Sequence, residues 1–205
     1  MFIKIKRKEA LLKYPQFPTR HYDDVTDEEI FFYPPSFKNY ILTLHSKSFK
    51  GHIRSAGIEI TKLTKHFSWE TLIFLGDTEL GWLHQQNDYK PVEQAQQYFT
   101  SHNVGKSFNG ALHVDFTELP LFIIHLGWLI RCNASLPYIY FSDIGQNIIG
   151  HICKYGNVHI SALNKSADKT LKLAIAKTKF EYLKGNNCYN QFGTTSAIAG
   201  RSIKV

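Results

Sequence analysis

Apolar and polar positions along this chain change period several times, and those changes divide it into strands and helices. Leu72-Ile73-Phe74-Leu75 is apolar on both faces of an extended chain, runs into Gly76-Asp77-Thr78 and resumes at positions 80–84. This predicts a β-hairpin at about 69–84 inside a sheet covered on both sides. Pro91 opens a predicted helix whose Val92, Ala95 and Phe99 share one stripe and which ends before Gly105. A strand at 111–116 places Leu112, Val114 and Phe116 on one face, with His113 and Asp115 on the other. Thr117 is the expected N-cap of a helix over about 118–131, apolar nearly all round and therefore buried, with Asn133 taking the left-handed position after it. A strand follows at 138–142. A second hairpin is predicted at about 147–162, with Gly156-Asn157 as its loop. A long amphipathic helix over about 166–183 and a Gly/Ser/Thr/Asn-rich tail with a closing strand at 201–205 complete the pattern.

Upstream the signals are weaker. Alternation over 2–6 fits an edge strand, but Pro15, Pro18, the acidic run 23–29 and Pro34-Pro35 predict an irregular N-terminal arm, 1–35, packed on the core. The region 40–45 reads as a strand and 47–54 as a basic loop, while 58–67 fits strand or helix equally. Residues 36–205 are read as one α+β (or α/β) domain, with a mixed, largely antiparallel sheet packed by three to four helices. With 205 residues, 43% of them hydrophobic, the chain is long enough to bury a substantial core.

Composition narrows the function classes. The longest apolar run, 119–130, is broken by Pro120, His125 and Gly127 and is too short to span a bilayer. Together with the lack of an apolar leader at the N-terminus, this gives the expectation of a cytoplasmic protein. Cys132, Cys153 and Cys188 are odd in number and widely spaced, which fits idle thiols better than a disulfide framework or a zinc knuckle. The net charge of +7 is segregated, with six basic and one acidic residue in 35–66, two and seven in 67–120, and ten and three in 121–205. Lys165, Lys169, Lys172 and Lys179 form one stripe of the last predicted helix, and Lys4, Lys6, Arg7 and Lys8 could extend it into a partner-binding face.

The candidate chemistry is sparse. Val104-Gly105-Lys106-Ser107 resembles the end of a phosphate-binding loop, but Thr100 stands where that loop needs glycine. His113, Asp115, His125, Asp143, His151, Cys153 and His159 are ligand-type residues within a short stretch. A two-residue hairpin loop would set His151 with Cys153 on one face and His159 on the other, so no metal site is expected. His113, Asp115 and His125 remain as the fallback catalytic group, although the helix is expected to pack on the strand face opposite His113. No cofactor is expected.

The leading expectation is therefore a non-catalytic protein that binds and masks one macromolecular partner, of inhibitor or immunity type, with Tyr and Trp as anchors. The contact face of such a protein partner would be acidic if the lysines meet it. The alternative is RNA or DNA binding by the last helix and the N-terminal arm. The third reading is an enzyme with a non-local His/Asp site.

Overall fold

A strand with apolar side chains on both faces needs cover on both sides, and β5 (Thr71–Gly76) has it: Leu72 and Phe74 enter one buried cluster while Ile73 and Leu75 enter another. The computed structural model describes residues 2–183, 188–193 and 197–202. In chain order the elements are β1 (Ile3–Ile5), α1 (Arg7–Lys13), β2 (Thr19–Asp23), β3 (Glu28–Phe32), β4 (Lys38–Thr43), α2 (Phe49–His66), β5, α3 (Lys90–Ser101), β6 (Ala111–Asp115), α4 (Leu119–Cys132), β7 (Ile139–Ser142), β8 (Ile148–Ile152), β9 (Val158–Ala162), α5 (Lys165–Ile175) and β10 (Glu181–Tyr182). Eight strands form one sheet in the order β1-β6-β5-β7-β8-β9-β4-β10, and β2 and β3 form a separate two-stranded sheet. The molecule is a single α+β domain in which the ladders of the described strands are antiparallel.

One sheet face carries the larger core. Leu72, Phe74, Leu112, Val114, Phe141, Ile148 and Ile160 meet Ile53, Ile60, Phe99, Phe122, Leu126 and Leu171 from the helices α2 to α5. The other face is covered by the N-terminal arm, where Ala10, Tyr14 and Phe17 pack on Ile73, Leu75, Ala111, Tyr140 and Ile149. The arm is far from irregular, since it holds β1, α1, β2 and β3. No helix among the described residues is long and apolar enough to cross a membrane.

Several expected elements differ. The hairpin at 69–84 does not form, because β5 pairs with β6 and β7 and the chain after Asp77 leaves the sheet. The undecided stretch 58–67 belongs to α2, whose N-cap Ser48 accepts the Gly51 amide at 3.2 Å. Thr117 does not cap α4, as its hydroxyl donates to Asp115 and the N-cap is Glu118. Asn133 is extended (φ −93°, ψ 106°) rather than left-handed, and bridges to Ser202. The long C-terminal helix stops at Ile175, where Thr178 Oγ1 bonds the Ile175 carbonyl, the Lys179 amide donates to buried Glu59, and Phe180 turns into the core. Of the expected closing strand, Ser202 makes that isolated bridge and 203–205 lie outside the described residues.

Candidate functional site

The fallback catalytic group does not assemble. His113 faces the arm, with its Nε2 3.1 Å from Tyr14 Oη, and burial holds its pKa below the ordinary value, with Lys13 adding to the effect. His125 lies in the helical layer on the opposite side of the sheet, its ring stacked on Tyr98 at 4.2 Å, and burial lowers its pKa as well. Asp115 accepts the Thr117 amide at 2.9 Å and hydroxyl at 2.8 Å, bonds that lower its pKa and commit it to the turn.

The basic residues do not form one face either. Lys4, Lys6, Arg7 and Lys8 sit at or beside edge strand β1, whereas Lys165, Lys169, Lys172 and Lys179 belong to α5 and the turn after it, beside β9. Four strands separate β1 from β9, which at about 4.8 Å per spacing puts the groups about 24 Å apart. Arg7 is also occupied, donating to the carbonyls of Gly76 at 2.8 Å and Asp77 at 3.2 Å. Lys172 pairs with Asp168 at 2.9 Å, and Lys4 donates to the Asn103 carbonyl at 2.7 Å.

Two other features stand out. The first is the β2–β3 hairpin. Every residue of β3 is exposed, although Ile30 (41%), Phe31 (46%) and Phe32 (41%) are large and apolar; Tyr22 (58%) and Val25 (93%) are exposed beside them. Pairing of Arg20 with Phe31 and of His21 with Ile30 puts Arg20 and Phe31 on one face, and His21, Ile30 and Phe32 on the other. The hairpin is anchored through the first face. The Arg20 amide donates to the Asp77 carbonyl at 2.7 Å, and its guanidinium reaches Asp77 at 3.2 Å and Glu29 at 3.1 Å while lying over Phe31 and Tyr138. Burial raises the pKa of Asp77, and Arg20 opposes that shift.

The second feature is a Cys–His cleft at the far end of β8 and β9. The hairpin there has a three-residue loop, Lys154–Gly156, closed by the Cys153 amide on the Asn157 carbonyl at 2.9 Å, with Gly156 at φ +86°. Compared with a Gly156-Asn157 loop, this shifts the register by an odd number of residues and puts His159 directly opposite His151. The two imidazoles stack at 4.6 Å with a 14° tilt. The expectation that they lie on opposite faces is therefore corrected, and Cys153 shares their face as a diagonal neighbour of His159.

Cys188 completes this group from the C-terminal segment. Its sulfur is 3.3 Å from Cys153 Sγ and accepts Asn157 Nδ2 at 3.0 Å. Thr43 Oγ1 donates to Asn157 Oδ1 at 2.7 Å, Gln191 donates to Thr43 Oγ1 at 3.1 Å, and Phe192 packs on Phe49 and His52, so the segment is docked on both sides of Gln191. The thiols are not equivalent. Cys188 is held low by the hydrogen bond with Cys153 and by its contacts with His159 and Asn157, while the same bond and burial push Cys153 up. Burial, with a smaller effect from His159, pushes His151 down to about 3. A cleft of about 260 Å³ opens at the group, walled by Tyr138, His151, Tyr155 and Arg201. Cys132 is separate, a buried thiol pushed up to about 11 by desolvation.

No protein-family model matches the chain, and no match is found among curated proteins or solved structures. Sequence reasoning singled out Cys153, His151 and His159 but separated them by register. It read Cys188, like the other two cysteines, as an idle thiol because the three are odd in number and widely spaced.

Proposed function

We propose that this protein acts by docking one protein partner through the β2–β3 hairpin, in an inhibitor or immunity-type role that masks the partner's working surface. The observation that carries the reading is β3 itself, a strand in which Ile30, Phe31 and Phe32 stay in water and whose outer edge pairs with no other described strand. A two-stranded hairpin with apolar side chains exposed on both faces gains little from being left solvated and much from being covered.

The occupant is an extended segment of the partner, added to the free edge of β3 by main-chain hydrogen bonds. Charge selects its chemistry. Although the whole chain is basic, 23–29 holds Asp23, Asp24, Asp27, Glu28 and Glu29 with no Lys or Arg, so the segment alternates apolar with basic residues. The acidic contact face expected for a lysine-bound partner belongs to a different part of the surface.

The test uses a photo-crosslinking residue at position 32, in the full chain, exposed to native extract beside an Ile30→Asp/Phe32→Asp variant. A single protein is expected to crosslink in stoichiometric yield, with strand pairing verified by mapping the adduct to an extended basic segment. Loss of two central apolar anchors weakens binding by about thirtyfold or more. Equal binding by the variant, or recovery of nucleic acid instead of protein, overturns the reading.

A further inference from the structure

We infer that Cys153, His159 and Cys188 form a three-ligand site for a thiolate-preferring divalent cation, zinc above all, with the fourth coordination position open to the adjoining cleft. The two sulfurs and a ring nitrogen of His159 all lie within 4.8 Å of one another. Tetrahedral coordination with metal–sulfur bonds of about 2.3 Å and metal–nitrogen bonds of about 2.0–2.1 Å requires ligand–ligand edges of roughly 3.5–3.8 Å. The Cys153–Cys188 separation of 3.3 Å and the 4.8 Å limit bracket that range, so small side-chain rotations suffice to seat an ion.

Three independent features point the same way. The donor set itself is selective, since two thiolates and an imidazole suit zinc and discriminate against magnesium and calcium, which take oxygen. The backbone is fixed on all sides, with Cys153 closing the three-residue loop, His159 in a central ladder of the sheet and Cys188 held through Asn157 and the docked Gln191-Phe192 segment. Finally, the buried Nε2 of His159 has no hydrogen-bond partner among the described residues. Buried polar atoms are normally satisfied, so this end of the sheet holds more capacity for ligation than the protein itself uses.

His151 is excluded as the fourth ligand by its stacking. Parallel rings 4.6 Å apart direct their in-plane lone pairs along parallel lines that do not meet at one ion. The fourth position is thus left for water or for a small ligand entering the cleft of about 260 Å³. The ion would also join the C-terminal segment to the β8–β9 turn. None of these residues belongs to β2–β3, so the inference and the docking function stand or fall separately.

The experiment is a Co²⁺ titration of the full-length protein with its thiols reduced. Uptake of one equivalent is expected, with thiolate-to-cobalt charge transfer in the near ultraviolet and the strong visible absorption of a tetrahedral site; zinc, which lies above cobalt in affinity, then bleaches it. Cys188→Ser and His159→Ala should each weaken binding by at least roughly 10–100-fold, the effect of losing even an outer-shell partner. Cys132→Ala should leave the spectrum intact. Circular dichroism confirms folding, and Cys188→Ser, outside every helix and strand, is the variant least exposed to a folding failure. Absence of the charge-transfer band in the reduced wild type, or its persistence in folded Cys188→Ser, overturns the site.

Discussion

His52 shows how one side chain couples burial to pH. Its ring is 1% exposed, with Nε2 2.9 Å from the Gly156 carbonyl and Nδ1 3.1 Å from that of Leu44, and with the Gln191 amide 3.3 Å from Nδ1. A neutral imidazole has one N–H, which this network assigns to Nε2, leaving Nδ1 to accept from Gln191. Burial pushes the pKa below the ordinary value; the two carbonyls oppose the shift and the nearby Arg131 reinforces it. Because the unfolded chain binds a proton at about pH 6.5 and the folded chain does not, the stabilisation is complete above that pH. It is lost as pH falls toward the depressed folded value. Urea unfolding at pH about 7.5 and about 5.5 should therefore show the wild type losing more stability on acidification than His52→Gln. Parallel losses would mean that His52 does not titrate on unfolding. The sequence offered no hint of this role, since His52 was read as part of a basic loop. Its partners Leu44, Gly156 and Gln191 come from three separate parts of the chain.

At the scale of elements, the α2–α4 crossing depends on small residues that let the backbones approach. A Cβ built on Gly57 would sit 2.7 Å from the Pro120 carbonyl oxygen, and one on Gly127 2.3 Å from Ile53 Cγ1. Alanine raises helix propensity by about 1 kcal/mol, but overpacking costs about 1–3 kcal/mol, and a backbone oxygen cannot rotate out of the way as a side chain can. Gly57→Ala should thus lower stability by about 1–2 kcal/mol, read as a lower urea midpoint at unchanged slope. Gly105→Ala is the control, because its Cβ meets nothing within 4 Å and it should be neutral or slightly stabilising.

Elements of this kind were legible wherever one period dominated, as in α3, α4, β6 and β7. They were lost where a distant contact decided the outcome. The end of α5 is set by Glu59 of α2, which takes the Lys179 amide, although the lysine stripe continues the helical period past that point. Likewise the β8–β9 hairpin was visible but its loop length was not. Because side chains alternate, that single ambiguity put His159 on the wrong face and hid the Cys–His cleft.

At the scale of the whole molecule, the placement of charge constrains any contact with nucleic acid. If all eight predicted basic residues neutralised phosphates on duplex DNA together, log K would fall against log salt with a slope near about −7. The fold separates them into two groups, one at edge strand β1 and one beside β9, with four strands between. Arg7 is tied to main-chain carbonyls, and Lys172 is paired with Asp168. One rigid duplex lying along either group then meets three of these lysines, so residual binding should be weak and its slope no steeper than about −3. Substituting Lys165 and Lys169 with Gln should remove most of the α5-side component and leave any β1-side component unchanged, because the groups are too far apart to couple. Fluorescence anisotropy with a short duplex across a salt series measures both quantities. A slope near −7 in the wild type, lost in part on the Lys165 and Lys169 substitutions, would require the two groups to engage one continuous, strongly bent nucleic acid. The +7 net charge would then be a binding surface rather than two separate solvated groups.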